Sequence, residues 1–360
     1  MYANKPLNSK TYSLMLIIPL FAFSLAIWGL EAYFGTLYGD LTRIGQLDES
    51  DFGWHMSQPS IPQRKLISAS LSDADIVVVG DSFSNGLVWQ SRLVSAGYKV
   101  STLRWGDFRP CGLGLNLGEL LRQSGFKGRY IIIENVEHGF QNRMSETCHL
   151  SSMLNTIGYI ASPPPFEPPN SHAIRLWSTD PLGGEWVIGA LINKIRMTYL
   201  FDSAKSDMAF GNGRTRIVRI NGCEWFSNRL CTLGLFYGHD FDKNTFSAMD
   251  NILAVNANFK KAGLDAIWLA IPDKATVYLG YGKLNANPYV NIWQQFAKYP
   301  ELVAPDLGSN FIRQSRLVKD LYKPNDVHLS NAGYLFLGDF VTNLIGGNRY
   351  TSHAETLPGN

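Results

Sequence analysis

The stretch Ile76-Val-Val-Val-Gly80-Asp81-Ser82 constrains the fold of this chain more than any other. Four β-branched apolar residues in succession, Ile76 to Val79, suit a strand buried on both faces. Gly80 breaks that strand, and Leu87 to Leu93 reads as the start of a helix. Strand, tight turn and helix place the Ser82 hydroxyl at the carboxyl edge of a sheet, above the positive end of a helix. α/β folds carry their chemistry at that edge. Gly-Asp-Ser is also a common tripeptide of ordinary βα loops. The serine therefore counts as a nucleophile only if the chain supplies a base for it.

The alternation continues along the chain. After the strand 75–79 and a helix to about 95 come a second strand, Lys99–Leu103, a loop from Arg104 to Gly112, and a helical Leu115–Gln123. Arg129–Ile133 is a third buried strand. From about 150 to 240 the rhythm lapses. This stretch contains the rigid Ser162-Pro-Pro-Pro-Phe-Glu-Pro-Pro169, an aliphatic helix around Trp186–Leu200, and Arg214, Arg216 and Arg219. It reads as an insertion serving as a lid, an acceptor surface or a simple covering flap. Regularity returns with a helix over Phe246–Ala262, a fourth strand Ala266–Ile271, helices at 313–322 and Ala332–Ile345, and a loose tail. Strands alternating with helices imply an α/β fold with a mainly parallel sheet and right-handed crossovers.

Tyr12 to Leu30 is a run of nineteen residues without a charge, just enough to cross a bilayer as one helix. Lys5 and Lys10 precede it, whereas Glu31 and Asp40 follow. The positive-inside bias leaves the N-terminus cytoplasmic and exports the remainder. Ser24-Leu25-Ala26 imitates a signal-peptidase site, but the apolar run continues to Leu30, which favours an uncleaved anchor. The expected organisation is a cytoplasmic N-terminus and anchor over 1–34, a connector over 35–73, a catalytic domain over 74–345 and a tail over 346–360. A net charge of +2 without a basic run leaves no electrostatic footprint for nucleic acid. Four cysteines fit export. Cys223 and Cys231 suit a small disulfide-closed loop, and Cys111 and Cys148 would form the second bridge, although four cysteines allow three connectivities. The rival zinc reading lacks CxxC or HxxxH spacing, and no metal or cofactor is expected.

The base is found at His328, two residues after Asp326 and just before Ser330, a suitable N-cap for the final helix. A serine hydroxyl needs an imidazole within hydrogen-bond reach, and the imidazole needs an acid to fix its tautomer and stabilise its charged form. Asp326 and His328, on a loop at the same sheet edge as Ser82, can do both. The other histidines, at 55, 138, 149, 172, 239 and 353, lack so close a carboxylate in a comparable loop. The bland alternative for Asp326-Val-His328 is a surface turn. Asp81 is read as a brace for the nucleophile turn.

With Gly80-Asp81-Ser82 as a first block and Asp326-Val-His328 as a last, the chain resembles the SGNH (GDSL-type) hydrolase superfamily. The resemblance covers roughly 74–345 and leaves 150–240 unexplained. It implies an SGNH-hydrolase-like three-layer sandwich preceded by one transmembrane helix. It also implies an oxyanion hole, for which Gly106, Gly112 and Asn135 are the candidates. Three details look like the alginate O-acetyltransferase branch. They are Phe83 after Gly-Asp-Ser, the strand end Glu134-Asn-Val-Glu137-His138, and the segment Ile271-Pro-Asp-Lys-Ala-Thr-Val-Tyr278. The chain departs from that branch in placing acid and base after the serine, and in having His138 for the branch's arginine. The common Asp-x-x-His spacing would fall on Asn325.

The apolar run and its flanking charges imply an inner-membrane, single-pass protein with its remaining domain in the periplasm, and the resemblance implies that it transfers acetyl groups to hydroxyls of an exported polysaccharide. Its donor would be a multi-spanning membrane O-acyltransferase. The alternatives are a carbohydrate esterase of the same fold, in which water replaces the sugar hydroxyl, and a non-catalytic polysaccharide-binding assembly subunit. The intact Ser82/Asp326/His328 set argues against the last.

Overall fold

The uncharged run near the N-terminus is one continuous helix, α1 (Ser9–Phe34), of 26 residues. At 1.5 Å per residue it measures about 39 Å, against roughly 30 Å of bilayer hydrocarbon. It is long and apolar enough to cross a membrane, and its large side chains from Tyr12 to Phe23 stay exposed. The computed structural model describes residues 8–34, 37–108, 113–150, 158–169, 182–202, 205–242, 245–281 and 289–354.

The expected connector is more than a link. It carries α2 (Asp40–Gly45) and a short helix Glu49–Phe52, and buries Leu41, Leu47, Phe52 and Trp54. β1 (Ile76–Gly80) follows, buried along its whole length, and leads into the single turn α3 (Ser82–Asn85). β2 (Val100–Arg104) and β3 (Tyr130–Val136) come next, and β3 passes straight into α4 (Glu137–Ser145). After α5 (Gly184–Asp202), three strands β4 (Asp207–Phe210), β5 (Thr215–Arg219) and β6 (Leu233–Tyr237) form an antiparallel meander. The chain then returns to α/β with α6 (Met249–Lys261), β7 (Asp265–Ile271), α7 (Lys274–Leu279) and the closing α8 (Asn331–Ala354).

The fold is mixed α/β with a parallel central sheet of four strands in the order β7-β3-β1-β2. Buried on both faces, these strands read as continuous apolar runs, as parallel strands must. β2 lies on one side of β1 and β3 on the other, so the loops leaving β1 and β3 diverge and open a crevice at their carboxyl ends. Ser82 stands at that crevice.

Several expectations are corrected. The third strand does not stop at Ile133, because parallel pairing with β7 continues to Val136 opposite Ile271. The region 150–240 is not simply irregular. Its meander shares a second apolar core with the connector, where Leu41, Leu47 and Phe52 meet Met197, Leu200, Phe210, Ile217, Leu233 and Leu235. The helix expected at 313–322 instead spans Leu307–Gln314, started by Asp306, whose carboxylate caps Ser309 N. The final helix runs past Ile345 to Ala354, into the expected tail. Cys223 and Cys231 are joined with Cα atoms 4.7 Å apart. No described cysteine is a free thiol, while Cys111 lies outside the described residues.

Gly80 is required where β1 ends. A Cβ there would run into Ser84 Oγ and the Glu134 carboxylate, both buried. Gly80→Ala should lower stability by about 2 kcal/mol, the scale of overpacking a core, read as a shift in the urea midpoint at unchanged m.

Candidate active site

The nucleophile turn is held by two carboxyl groups. Asp81 caps α3 by accepting from Phe83 N at 2.8 Å, and its other oxygen accepts from Val136 N at 2.8 Å. One side chain thus ties the turn after β1 to the end of β3. Beneath it, Glu134 Oε2 accepts from Asp81 N at 3.1 Å and from Ser84 Oγ at 2.5 Å. Glu134 is fully buried, and burial together with the neighbouring Asp81 charge pushes its carboxyl well above the usual range. Ser82 itself is exposed at the top of the turn.

His328 arrives on a closed loop. Tyr322 and Leu329 pair as an antiparallel bridge, and Lys323 N donates to His328 O at 3.1 Å. Between them, Asp326 Oδ1 accepts from His328 N at 3.0 Å and stands 2.8 Å from His328 Nδ1. His328 Nε2 lies 2.9 Å from Ser82 Oγ. Burial alone would raise the Asp326 carboxyl. The hydrogen bond and charge of His328, helped by Lys323, override it and hold the acid well below its ordinary value. Asp326 therefore stays ionised while buried, as an orienting acid must. Phe83 packs on the imidazole with ring centroids 5.0 Å apart. Asn325, the position of the commoner spacing, turns its amide away to Glu49.

Three supports were not evident from the sequence. Lys274, fully buried at the start of α7, donates to the carbonyls of Lys323 and Pro324 at 2.8 Å and of Asp326 at 3.2 Å. Its ammonium also faces the rings of Phe226 and Phe236. Burial pulls it down to about 7, against the opposing charges of Asp326, Asp240 and Asp320. Asp40, at the start of α2, brings a carboxylate within 3.8 Å of His328 Nδ1. The Asn325 carbonyl accepts from Leu41 N at 3.0 Å. The sequence marks Lys274 only as part of the segment 271–278 after the fourth strand, without a role for it. It gives no signal for Asp40 at the site.

A second imidazole stands beside the crevice. His138, at the start of α4, lies 2.7 Å from Asp273 and 3.6 Å from Asp240. The expectation that other histidines lack a close carboxylate fails here, because Asp273 is distant in sequence. It fails also for the exposed pair His239–Asp242 at 2.6 Å. Burial pulls the His138 imidazolium down, but the charge and hydrogen bond of Asp273, with Asp240 and Asp81 behind, lift it to about 9. Glu137 braces this group by accepting from Asp273 N at 2.8 Å, Thr276 Oγ1 at 2.6 Å and Tyr289 OH at 2.6 Å.

Among the described residues, two groups bring His and Asp ligand atoms within 4.8 Å of one another, Asp40/Asp326/His328 and His138/Asp240/Asp273. In the first, both ring nitrogens of His328 are already engaged. In the second, Nδ1 of His138 is already engaged with Asp273 at 2.7 Å.

The oxyanion candidates are less gathered. Gly106 is exposed on the 3-10 turn after β2. Asn135 is buried at the tip of the third strand, as expected, but its amide donates to Val136 O at 2.8 Å. Gly112 lies outside the described residues. Of the arginines in the insertion, Arg216 pairs with Asp207, and Arg219 donates to the carbonyls of Lys205 and Leu200, so both serve structure. No family model, curated protein or solved structure matches the chain.

Replacing Lys274 with Met would leave three buried carbonyls without their donor. The expected loss is about 3 kcal/mol in urea unfolding, with slower labelling of Ser82 by a fluorophosphonate. A pH series isolates His138. Its folded value of about 9 lies above the unfolded 6.5, so its stabilisation is complete below 6.5 and fades as pH rises through 9. The stability difference between wild type and His138→Gln should shrink over that window, from at most about 3 kcal/mol.

Proposed function

We propose that the protein is a membrane-anchored periplasmic O-acetyltransferase of SGNH type, with a three-layer catalytic domain, that modifies hydroxyls of an exported polysaccharide. The observation that carries this reading is the unbroken Ser82–His328–Asp326 relay, at 2.9 and 2.8 Å, on the carboxyl edge of a parallel sheet.

In the first half-reaction Ser82 Oγ attacks the acyl carbonyl, His328 Nε2 takes the hydroxyl proton, and that proton passes to the leaving group as its bond to the acyl carbon breaks. In the second, a sugar hydroxyl surrenders its proton to His328 and attacks the acyl-serine. Ser82 departs and is reprotonated. Asp326 holds the imidazole's tautomer throughout and balances its transient charge.

The setting supports transfer outside the cytoplasm. A disulfide at Cys223–Cys231 fits an oxidising compartment. Asp40 reaches His328 only six residues after α1 ends, and six residues span at most about 20 Å. The serine therefore lies close to the membrane surface. A multi-spanning acyltransferase passing acetyl groups across the bilayer would present them there. The exposure of Ser82 also suits the second reading, an esterase that lets water resolve the acyl-serine.

Cells carrying Ser82→Ala decide between them through the O-acetyl content of the exported glycan. Transfer predicts loss of acetyl and hydrolysis predicts gain, while an unchanged glycan would remove both. With purified protein, Ser82→Ala should lower turnover of an activated acetyl ester by roughly 10⁴-fold or more.

A further inference from the structure

A surface helix ordinarily shows one apolar face, turned to the core. α5 shows two. Val187, Ala190, Asn193, Met197 and Leu200 are buried on one side, against the connector and the meander. At 100° per residue, the opposite side carries Ile188, Leu191, Ile192, Ile195 and Tyr199 within a single stripe. These five side chains are 41, 42, 52, 66 and 61% exposed. An apolar stripe of this size left to water marks an interaction surface. It is not a second span: Glu185, Asn193, Lys194 and Arg196 interrupt it, and among the described residues α1 alone is long and apolar enough to cross a membrane.

The position of α5 indicates what covers the stripe. α5 docks on the last turns of α1. Phe34 packs edge-on against Trp186 with centroids 5.7 Å apart and joins Val187 and Ala190 in a small core, with Leu30 beside it. Glu31 accepts from Gly183 N at 3.0 Å, and Lys194 Nζ donates to Tyr33 OH at 2.7 Å. Glu31 is the first charge after the uncharged run, so these contacts fall where α1 leaves the hydrocarbon. Trp28, Tyr33 and Tyr199 are exposed, as aromatic residues are at a membrane–water boundary.

We propose that α5 is an interfacial helix that lies on the bilayer, with Ile188, Leu191, Ile192, Ile195 and Tyr199 immersed among the lipid acyl chains. The proposal rests on the reading of α1 as a membrane anchor. It gives the catalytic domain a second, non-spanning attachment. One helix alone would leave the domain free to swivel, whereas α1 and α5 together fix the height and facing of the crevice above the membrane. The occupant is lipid because α5 is docked through its other side on the last turns of α1, where that helix leaves its uncharged run, so a bilayer around α1 ends at the level of α5.

The test places an environment-sensitive dye on single cysteines introduced into the full chain: Ile195→Cys on the stripe, Ile17→Cys on α1, and Glu119→Cys on the distant exposed surface. The protein is reconstituted in phosphatidylcholine vesicles containing doxyl-labelled lipid. Quenching of the Ile195 dye by the lipid doxyl, several-fold above that at Glu119, together with shielding from aqueous iodide, is the expected result. A dye at Ile195 shielded from iodide yet not reached by lipid quencher would mean that a protein covers the stripe, which overturns the proposal. So would a dye open to iodide while Ile17 is quenched by lipid. Failure of quenching at Ile17 would remove the anchor and this proposal together, which distinguishes the two.

Discussion

A positive charge sealed from water is costly unless its donors are all matched, and Lys274 finds its matches on a single loop. The carbonyls of Lys323, Pro324 and Asp326 converge on one ammonium while two aromatic rings close the space around it. Displacing the loop would leave the buried Lys274 amine and three carbonyl acceptors without their partners, which opposes such movement. Everything downstream inherits that position: the ionised Asp326, the tautomer of His328, and the 2.9 Å separation from Ser82.

The opposite half of the site is fixed by carboxyl groups rather than by a cation. Asp81 bonds backbone amides on both sides of the crevice, and Glu134 fills the space that the bare Gly80 leaves beneath it. Burial and the neighbouring Asp81 charge both push the Glu134 carboxyl upward, which disfavours a second negative charge in this buried turn. Glu137, three residues on at the start of α4, accepts from Asp273 N and so braces the carboxylate that lies against His138. The carboxyl end of β3 is thus a layered polar network, and most of its members support groups that face the crevice.

The sequence was most legible where chemistry and periodicity coincide. β1 and the Gly80-Asp81-Ser82 turn, the Asp326-Val-His328 loop, the Cys223–Cys231 bridge and the long apolar helix could all be read from local patterns, because each depends on neighbours a few residues away. The parallel sheet was readable as a class from the alternation of strands and helices. The extension of β3 to Val136 was not, because Glu134 and Asn135 look like loop residues until pairing with β7 and burial of the carboxyl are taken together. The meander of β4 to β6 was hidden for a similar reason. Its strands carry arginines and turns, and its apolar partners come from the connector, far away in sequence.

What the sequence determined by itself was the local setting of Ser82, the Asp326-Val-His328 pairing, the α/β class and the apolar helix ahead of them. Each follows from residue types at short spacing, which backbone geometry converts directly into local structure. Tertiary structure alone decided how the triad is held and where it stands. Lys274 reaches its loop from about fifty residues away, Asp40 approaches His328 across most of the chain, and Asp273 meets His138 only because β3 and β7 lie side by side. Contacts of that range carry no local pattern. They arise when a buried charge must find partners wherever the fold brings them.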